Sequence, residues 1–171
     1  LRQCAGATTL GMLGAWAAPA RAAVARSLSL VHTHTREALD IVYQVGGERV
    51  PTALTTINRF LRDHYTGEVG VIGPAVLHQV HALRLALGTR QLFDVISGYR
   101  CPATNAQLRA KGGGGVAQRS LHMDGRAIDV RVPGTTLADV RDAALSLRAG
   151  GVGYYARERF VHLDSGRVRH W

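Results

Sequence analysis

The segment Ser120-Leu-His122-Met-Asp124-Gly125-Arg-Ala-Ile-Asp129 sets a histidine and an aspartate seven residues apart around an Asp-Gly pair. On one uninterrupted strand the two side chains would face opposite ways, because strand side chains alternate with period two. Asp-Gly is a strong turn former, so the chain can bend after His122, enter a strand near Arg126 and bring Asp129 back to the same point. A neighbouring strand, Phe160-Val-His162-Leu-Asp164, offers a second imidazole. Two imidazoles and one carboxylate form the kind of three-ligand set that leaves one zinc position open to water, as catalytic rather than structural sites do. A bare His-x6-Asp is a weak signal, and only the surrounding residues can raise it.

Those surroundings read as one α+β domain, a small antiparallel sheet with flanking helices. Arg26 to Thr35 alternates apolar and polar residues and predicts a strand with His32 and His34 on one face; Glu37 to Val45 predicts its hairpin partner. Pro51 to His64 carries Leu54, Ile57, Phe60 and Leu61 at helical spacing, and Pro74 to Leu87 repeats the pattern up to Gly88. Shorter segments follow: a strand over 91–97, a helix over 104–111, a strand over 126–132, a helix over 137–147, and strands over 151–155 and 159–164. Gly112 to Gly115 has little intrinsic order and predicts a mobile loop beside the candidate site. The pair His78 and His81 reads as polar-face histidines of their helix.

Residues 1–23 contain no acid and form an apolar run closed by Ala20-Arg21-Ala22, the layout of a signal peptide. Its apolar part is short for a membrane span, so no stable span is expected after its removal. The sequence begins at Leu1, so the basic start of such a leader is expected upstream, where a twin-arginine pair could lie. The expected mature domain is 24–171. Removing Arg2 and Arg21 leaves 19 basic against 12 acidic residues, a net charge of +7. Such a field suits an anionic membrane face or cell-wall polymer; nucleic acid is suggested by charge alone and by no motif. With Cys4 in the leader, Cys101 stands alone, which excludes an internal disulfide and favours a buried thiol.

Three groups of residues, Ser97-Gly98-Tyr99-Arg100-x-Pro102-x-Thr104-Asn105, Ser120-x-His122-x-x-Gly125-x-Ala127-x-Asp129 and Phe160-Val161-His162-x-Asp164, resemble the M15-type zinc peptidases. The resemblance is to their exported murein endopeptidase branch and covers nearly all of 24–171, including the terminal Gly166-Arg167-Val168-Arg169-x-Trp171. It implies an M15/LAS-type fold and one Zn2+ held by His122, Asp129 and His162. It also implies a periplasmic or envelope location and peptidoglycan as partner, with hydrolysis of a D-amino-acid or diaminopimelate cross-link. Carboxypeptidase action on D,D or L,D bonds, or a non-catalytic wall-binding module, are the alternatives. The resemblance makes Arg100 a catalytic, substrate-facing residue suited to a developing oxyanion, with Ser120 and Ser97 as further substrate contacts. Many M15 enzymes carry a carboxylate three residues before the last histidine, where this chain has Arg159. Asp164 is the expected replacement, as general base or as the carboxylate that orients a ligand; Glu158 falls in the preceding turn. Tyr99, Tyr154 and Tyr155 are candidate groove residues.

Overall fold

A computed structural model describes residues 24–111 and 116–171. The expected leader, with Cys4, and the expected glycine loop 112–115 lie outside the described residues. Eight strands and four helices follow in the order β1 (Ala25–His32), β2 (Ala38–Val45), β3 (Glu48–Arg49), α1 (Pro51–Phe60), α2 (Pro74–Ala86), β4 (Phe93–Ser97), α3 (Pro102–Ala110), β5 (Ala127–Arg131), α4 (Leu137–Ser146), β6 (Gly151–Tyr155), β7 (Phe160–Asp164) and β8 (Arg169–His170). None of these helices is long and apolar enough to cross a membrane.

All strands join one sheet in the order β3-β2-β1-β4-β5-β7-β6-β8. The expectation of a small antiparallel sheet is corrected here, because β1 pairs with β4, and β6 with β8, in parallel. The reason for the first lies in the connection. A tight turn can only return a strand antiparallel, whereas the path from β1 to β4 runs through the β2 and β3 hairpins and then α1 and α2, long enough for a crossover.

Pro51, Pro74 and Pro102 each sit in the first turn of a helix, where a missing N–H costs nothing. Ile57, Val76, Leu77, Val80, Leu83 and Val140 from α1, α2 and α4 pack against Leu28, Leu30, Val95, Ile128, Val130, Val161 and Leu163 of the sheet in one continuous core. His78 and His81 stitch α2 to this layer: His78 Nδ1 pairs with the Tyr43 hydroxyl at 2.9 Å and His81 Nδ1 with the Ser27 carbonyl at 3.0 Å.

The first strand stops earlier than expected. β1 ends at His32, and the turn carries His34 out of the strand, so the two rings do not share a strand face; their centroids lie 5.9 Å apart, edge to face. α1 also stops short, at Phe60, because Asp63 draws the chain into a loop. Its carboxylate accepts the backbone N–H groups of Tyr65 and Cys101 at 2.9 Å each. Cys101 is buried and free, and its sulfur accepts the Thr104 N–H at the start of α3.

Candidate metal centre

The register between β5 and β7 sets Asp129 directly opposite His162 and Ala127 opposite Asp164. Ile128, Val130, Val161 and Leu163 are committed to the helix-covered core. Alternation therefore turns Asp129, His162 and Asp164 to the other face of the sheet. His122 reaches that face from the turn before β5, closed by Gly125 N–H on the His122 carbonyl at 3.2 Å and Arg126 N–H on the Leu121 carbonyl at 2.8 Å. Gly125 has φ +61°, and a Cβ there would collide with the Val71 carbonyl. The position requires glycine for both its conformation and its space.

The turn and the strand pair bring three donor atoms together. His122 Nε2 lies 3.3 Å from Asp129 Oδ1 and 3.2 Å from His162 Nδ1, which itself lies 2.8 Å from Asp129 Oδ1. Tetrahedral zinc with bonds of about 2.0–2.1 Å spaces its ligand atoms about 3.3 Å apart. These separations suit a single small divalent ion, and all three residues are nearly closed to solvent.

Each imidazole is aimed by a partner on its far nitrogen. His122 Nδ1 donates to the Gly98 carbonyl at 2.7 Å, which fixes Nε2 as the free lone pair. His162 Nε2 faces Asp164 Oδ2 at 3.2 Å, leaving Nδ1 for the centre. This is the usual way in which a protein fixes tautomer and ring angle at a metal-ligating histidine.

Asp164 is fully buried. Arg169 forks onto it with Nη1 to Oδ1 at 3.0 Å and Nη2 to Oδ2 at 2.7 Å, and the N–H groups of Gly166 and Gly151 donate to Oδ1 at 2.8 and 3.3 Å. With the His162 contact, five donors fill a carboxylate that has about four lone-pair sites. Burial alone would raise its pKa, but hydrogen bonds from His162, Arg169 and Gly166 hold it well below the usual carboxylate range. Asp129 behaves likewise: burial raises it, and His122 and His162 more than reverse that. The His162 imidazole, lowered by burial but flanked by Asp129 and Asp164, is raised to about 9.

A cleft of about 520 Å³ opens over these residues, lined also by Arg100, Ser120, Tyr155, Glu158, Phe160 and Trp171. Arg100 is mostly buried; Nη2 stands 3.9 Å from Asp129 Oδ2, and Nη1 donates to Asn105 Oδ1 at 3.4 Å. Ser120 is buried in the cleft wall. Ser97 sits instead in a smaller adjoining pocket that shares Arg100, Asp129 and Phe160 with the cleft and also takes in Tyr99. Of the three tyrosines only Tyr155 lines the main cleft. Tyr154, one residue earlier in β6, packs towards the core under the Arg141 guanidinium, 4.7 Å from its ring centroid.

Arg159 has φ +60° in the turn between β6 and β7 and is exposed, as is Glu158 beside it. Sequence reasoning missed the Gly98 carbonyl and the Arg169 fork. Gly98 carries no side chain to signal a role, but a cation for a buried Asp164 was there to be sought in the nearby Arg167 and Arg169. Trp171 was also missed as a wall; its ring lies 5.4 Å from the His162 ring, and its Nε1 donates to the Tyr155 hydroxyl at 3.0 Å.

A family model described as peptidoglycan L,D-endopeptidase MepK, within the M15 peptidases, matches residues 20–171. The curated peptidoglycan L,D-endopeptidase MepK of Escherichia coli K12 is 42% identical over 146 residues, which span 85% of this chain and 80% of the relative. The probable peptidoglycan L,D-endopeptidase MepK of Haemophilus influenzae is 37% identical over 147 residues, 85% of this chain and 78% of the relative.

Proposed function

The chain belongs to the M15 peptidase family described as peptidoglycan L,D-endopeptidase MepK, and from that premise we infer that it is a zinc-dependent murein endopeptidase that cuts L,D peptide bonds in cross-links. The observation that carries the metal assignment is the convergence of His122 Nε2, His162 Nδ1 and Asp129 Oδ1 at spacings that suit one tetrahedral ion. When bound, such an ion supplies a Lewis acid for the scissile carbonyl and a water of lowered pKa.

The protein's own groups do the rest. The Gly98 carbonyl and the Asp164 carboxylate hold the two imidazoles in the tautomers that leave a lone pair on the centre. Arg100, pinned by Asn105 beside Asp129, offers a fixed cation to the oxyanion that develops on the scissile carbonyl. Ser120 binds substrate from the cleft wall, and Ser97 contacts it from the adjoining pocket. Asp164 acts by orienting His162, since its oxygens are filled by donors. Glu158 on the cleft wall is then the carboxylate open to take a proton from water and return it to the leaving amine.

A murein substrate lies outside the inner membrane, which agrees with the acid-free apolar segment 1–23 as an export leader and 24–171 as the mature periplasmic domain. Digestion of purified sacculi by the zinc-loaded protein tests the reading. Release of uncross-linked muropeptides is expected, and His122→Ala or Asp129→Ala should abolish it; full activity in either variant would overturn the metal assignment.

A further inference from the structure

Two rows of residues run across the site face of the sheet. Strand pairing sets Asp129, His162 and Gly153 side by side in one row, and Ala127, Asp164, Gly151 and Arg169 in the other. Trp171 extends the first row. Its N–H donates to the Val152 carbonyl at 3.3 Å and its carbonyl accepts the Tyr154 N–H at 2.9 Å, which carries the chain past β8 alongside Gly153. In each row a glycine of β6 separates a residue of β7 from a side chain of the C-terminal segment.

Neighbouring strands lie about 4.8 Å apart, so a side chain beyond β6 reaches β7 only across the position between them. The two glycines leave that passage open. A Cβ on Gly151 would collide with the Asp164 carboxylate and the Arg169 guanidinium, and one on Gly153 would stand 2.8 Å from the Trp171 and Tyr155 rings. Gly153 lies in a strand and has no positive φ, so its position demands space and not backbone freedom. Arg169 uses its gap to fork onto Asp164. Trp171 uses the other to bring its ring 5.4 Å from the His162 ring, while the Arg169 guanidinium stands 4.8 Å over the indole and Nε1 holds the Tyr155 hydroxyl.

We propose that Trp171 is a positioning residue of the metal centre: reaching across Gly153, its ring fixes the tilt of the His162 imidazole and holds the Arg169 guanidinium against Asp164. The assignment rests on the metal reading above and adds a residue to it. Contacts from Asp129 and Asp164 fix the two nitrogens of His162, yet leave the ring free to rock about the line between them. A flat ring packed against the imidazole removes that freedom. The indole face also attracts the guanidinium, which keeps the fork that aims His162 from swinging out to solvent. A ring that leaves 49% of its surface open in a cleft is ordinarily a wall for substrate; the inward contacts give this one a second task.

Titration of the zinc-free full chain with zinc against a competing chelator separates the two tasks. Trp171→Ala should weaken zinc binding about tenfold, the lower end of what losing a ligand's orienting partner costs, and digestion of sacculi should recover in excess zinc. Gly153→Ala keeps the tryptophan but puts a methyl where its ring lies, and should weaken zinc binding by a similar factor. Trp171→Phe keeps a ring over the gap and under the guanidinium, and should stay within about twofold of the unaltered chain. Unchanged zinc affinity in Trp171→Ala and Gly153→Ala, with only digestion slowed, makes Trp171 a substrate wall and overturns the proposal. A lower urea midpoint in the zinc-free variants with zinc affinity unchanged makes it a structural strap and overturns the proposal equally. In both cases tight zinc binding by the unaltered chain leaves the metal assignment standing; if the unaltered chain takes up no zinc, that assignment falls and this one with it.

Discussion

Asp164 has two possible uses that make opposite demands on its oxygens. A base needs a lone pair open to water, whereas an orienting carboxylate needs to be held rigidly against His162. The Arg169 fork and the two backbone N–H donors meet the second demand. Asp164→Asn keeps the shape but removes the charge that raises the basicity of His162. Loss of such a partner typically costs about 10–100-fold in metal affinity, so zinc competition titration should read a weakening of that order, with activity recovering in excess zinc. An Asn variant that binds zinc as tightly as the native chain yet stays inactive at saturating metal would return Asp164 to the role of base.

The turn over residues 121–125 is the element on which the centre depends. Gly125 N–H and Arg126 N–H close it, and the Gly125 carbonyl accepts the Gly73 N–H at 2.8 Å just before α2. Gly125→Ala would force a left-handed backbone on an L residue and push its methyl into the Val71 carbonyl. A destabilisation of about 2 kcal/mol or more is expected, read as a lower urea midpoint together with weaker zinc binding, and an unchanged midpoint would refute it. Much at this scale was legible in the sequence, since Asp124-Gly125 announces the turn and the alternation in 127–131 and 160–164 announces the strands. The two-residue strands β3 and β8 were not, because two residues carry no periodicity. The early end of α1 was hidden too, since it depends on Asp63 reaching Cys101, 38 residues away.

Across the whole molecule, the meeting of His122 with Asp129 was expected from the local Asp124-Gly125 turn, whereas His162, 33 residues beyond Asp129, had no local signal and rested on the surrounding motif residues. Arg169, five residues beyond the Asp164 it holds, was within local reach, whereas the Gly98 carbonyl meets His122 across 24 residues through a contact of the fold that no local pattern encodes. The same holds for a histidine cluster at the far end of β1. His32 is fully buried, packed edge-on to Phe60 and 5.5 Å from the His64 ring, which stacks on His34 at 3.9 Å. The His34 N–H donates to His32 Nδ1, which requires that nitrogen to be unprotonated. Burial, then the charges of His64, His34 and Arg62, lower His32 to about 4, with Glu37 opposing. Burial and His34 lower His64 to about 4, with Arg100 adding to this and Asp63 opposing. In the unfolded chain both titrate near 6.5. Between those values the unfolded state takes up protons that the folded state refuses, so stability falls as pH drops from about 6.5 to about 4 and these two groups add no further slope below it. His32 alone should account for a loss on the order of 2 kcal/mol between pH 7 and pH 5, less than the full shift would give because that window covers only part of it. Urea unfolding at pH 7 and pH 5 measures it. His32→Gln removes the titrating group and should flatten the difference between the two curves; an undiminished difference in that variant would assign the acid sensitivity to other groups.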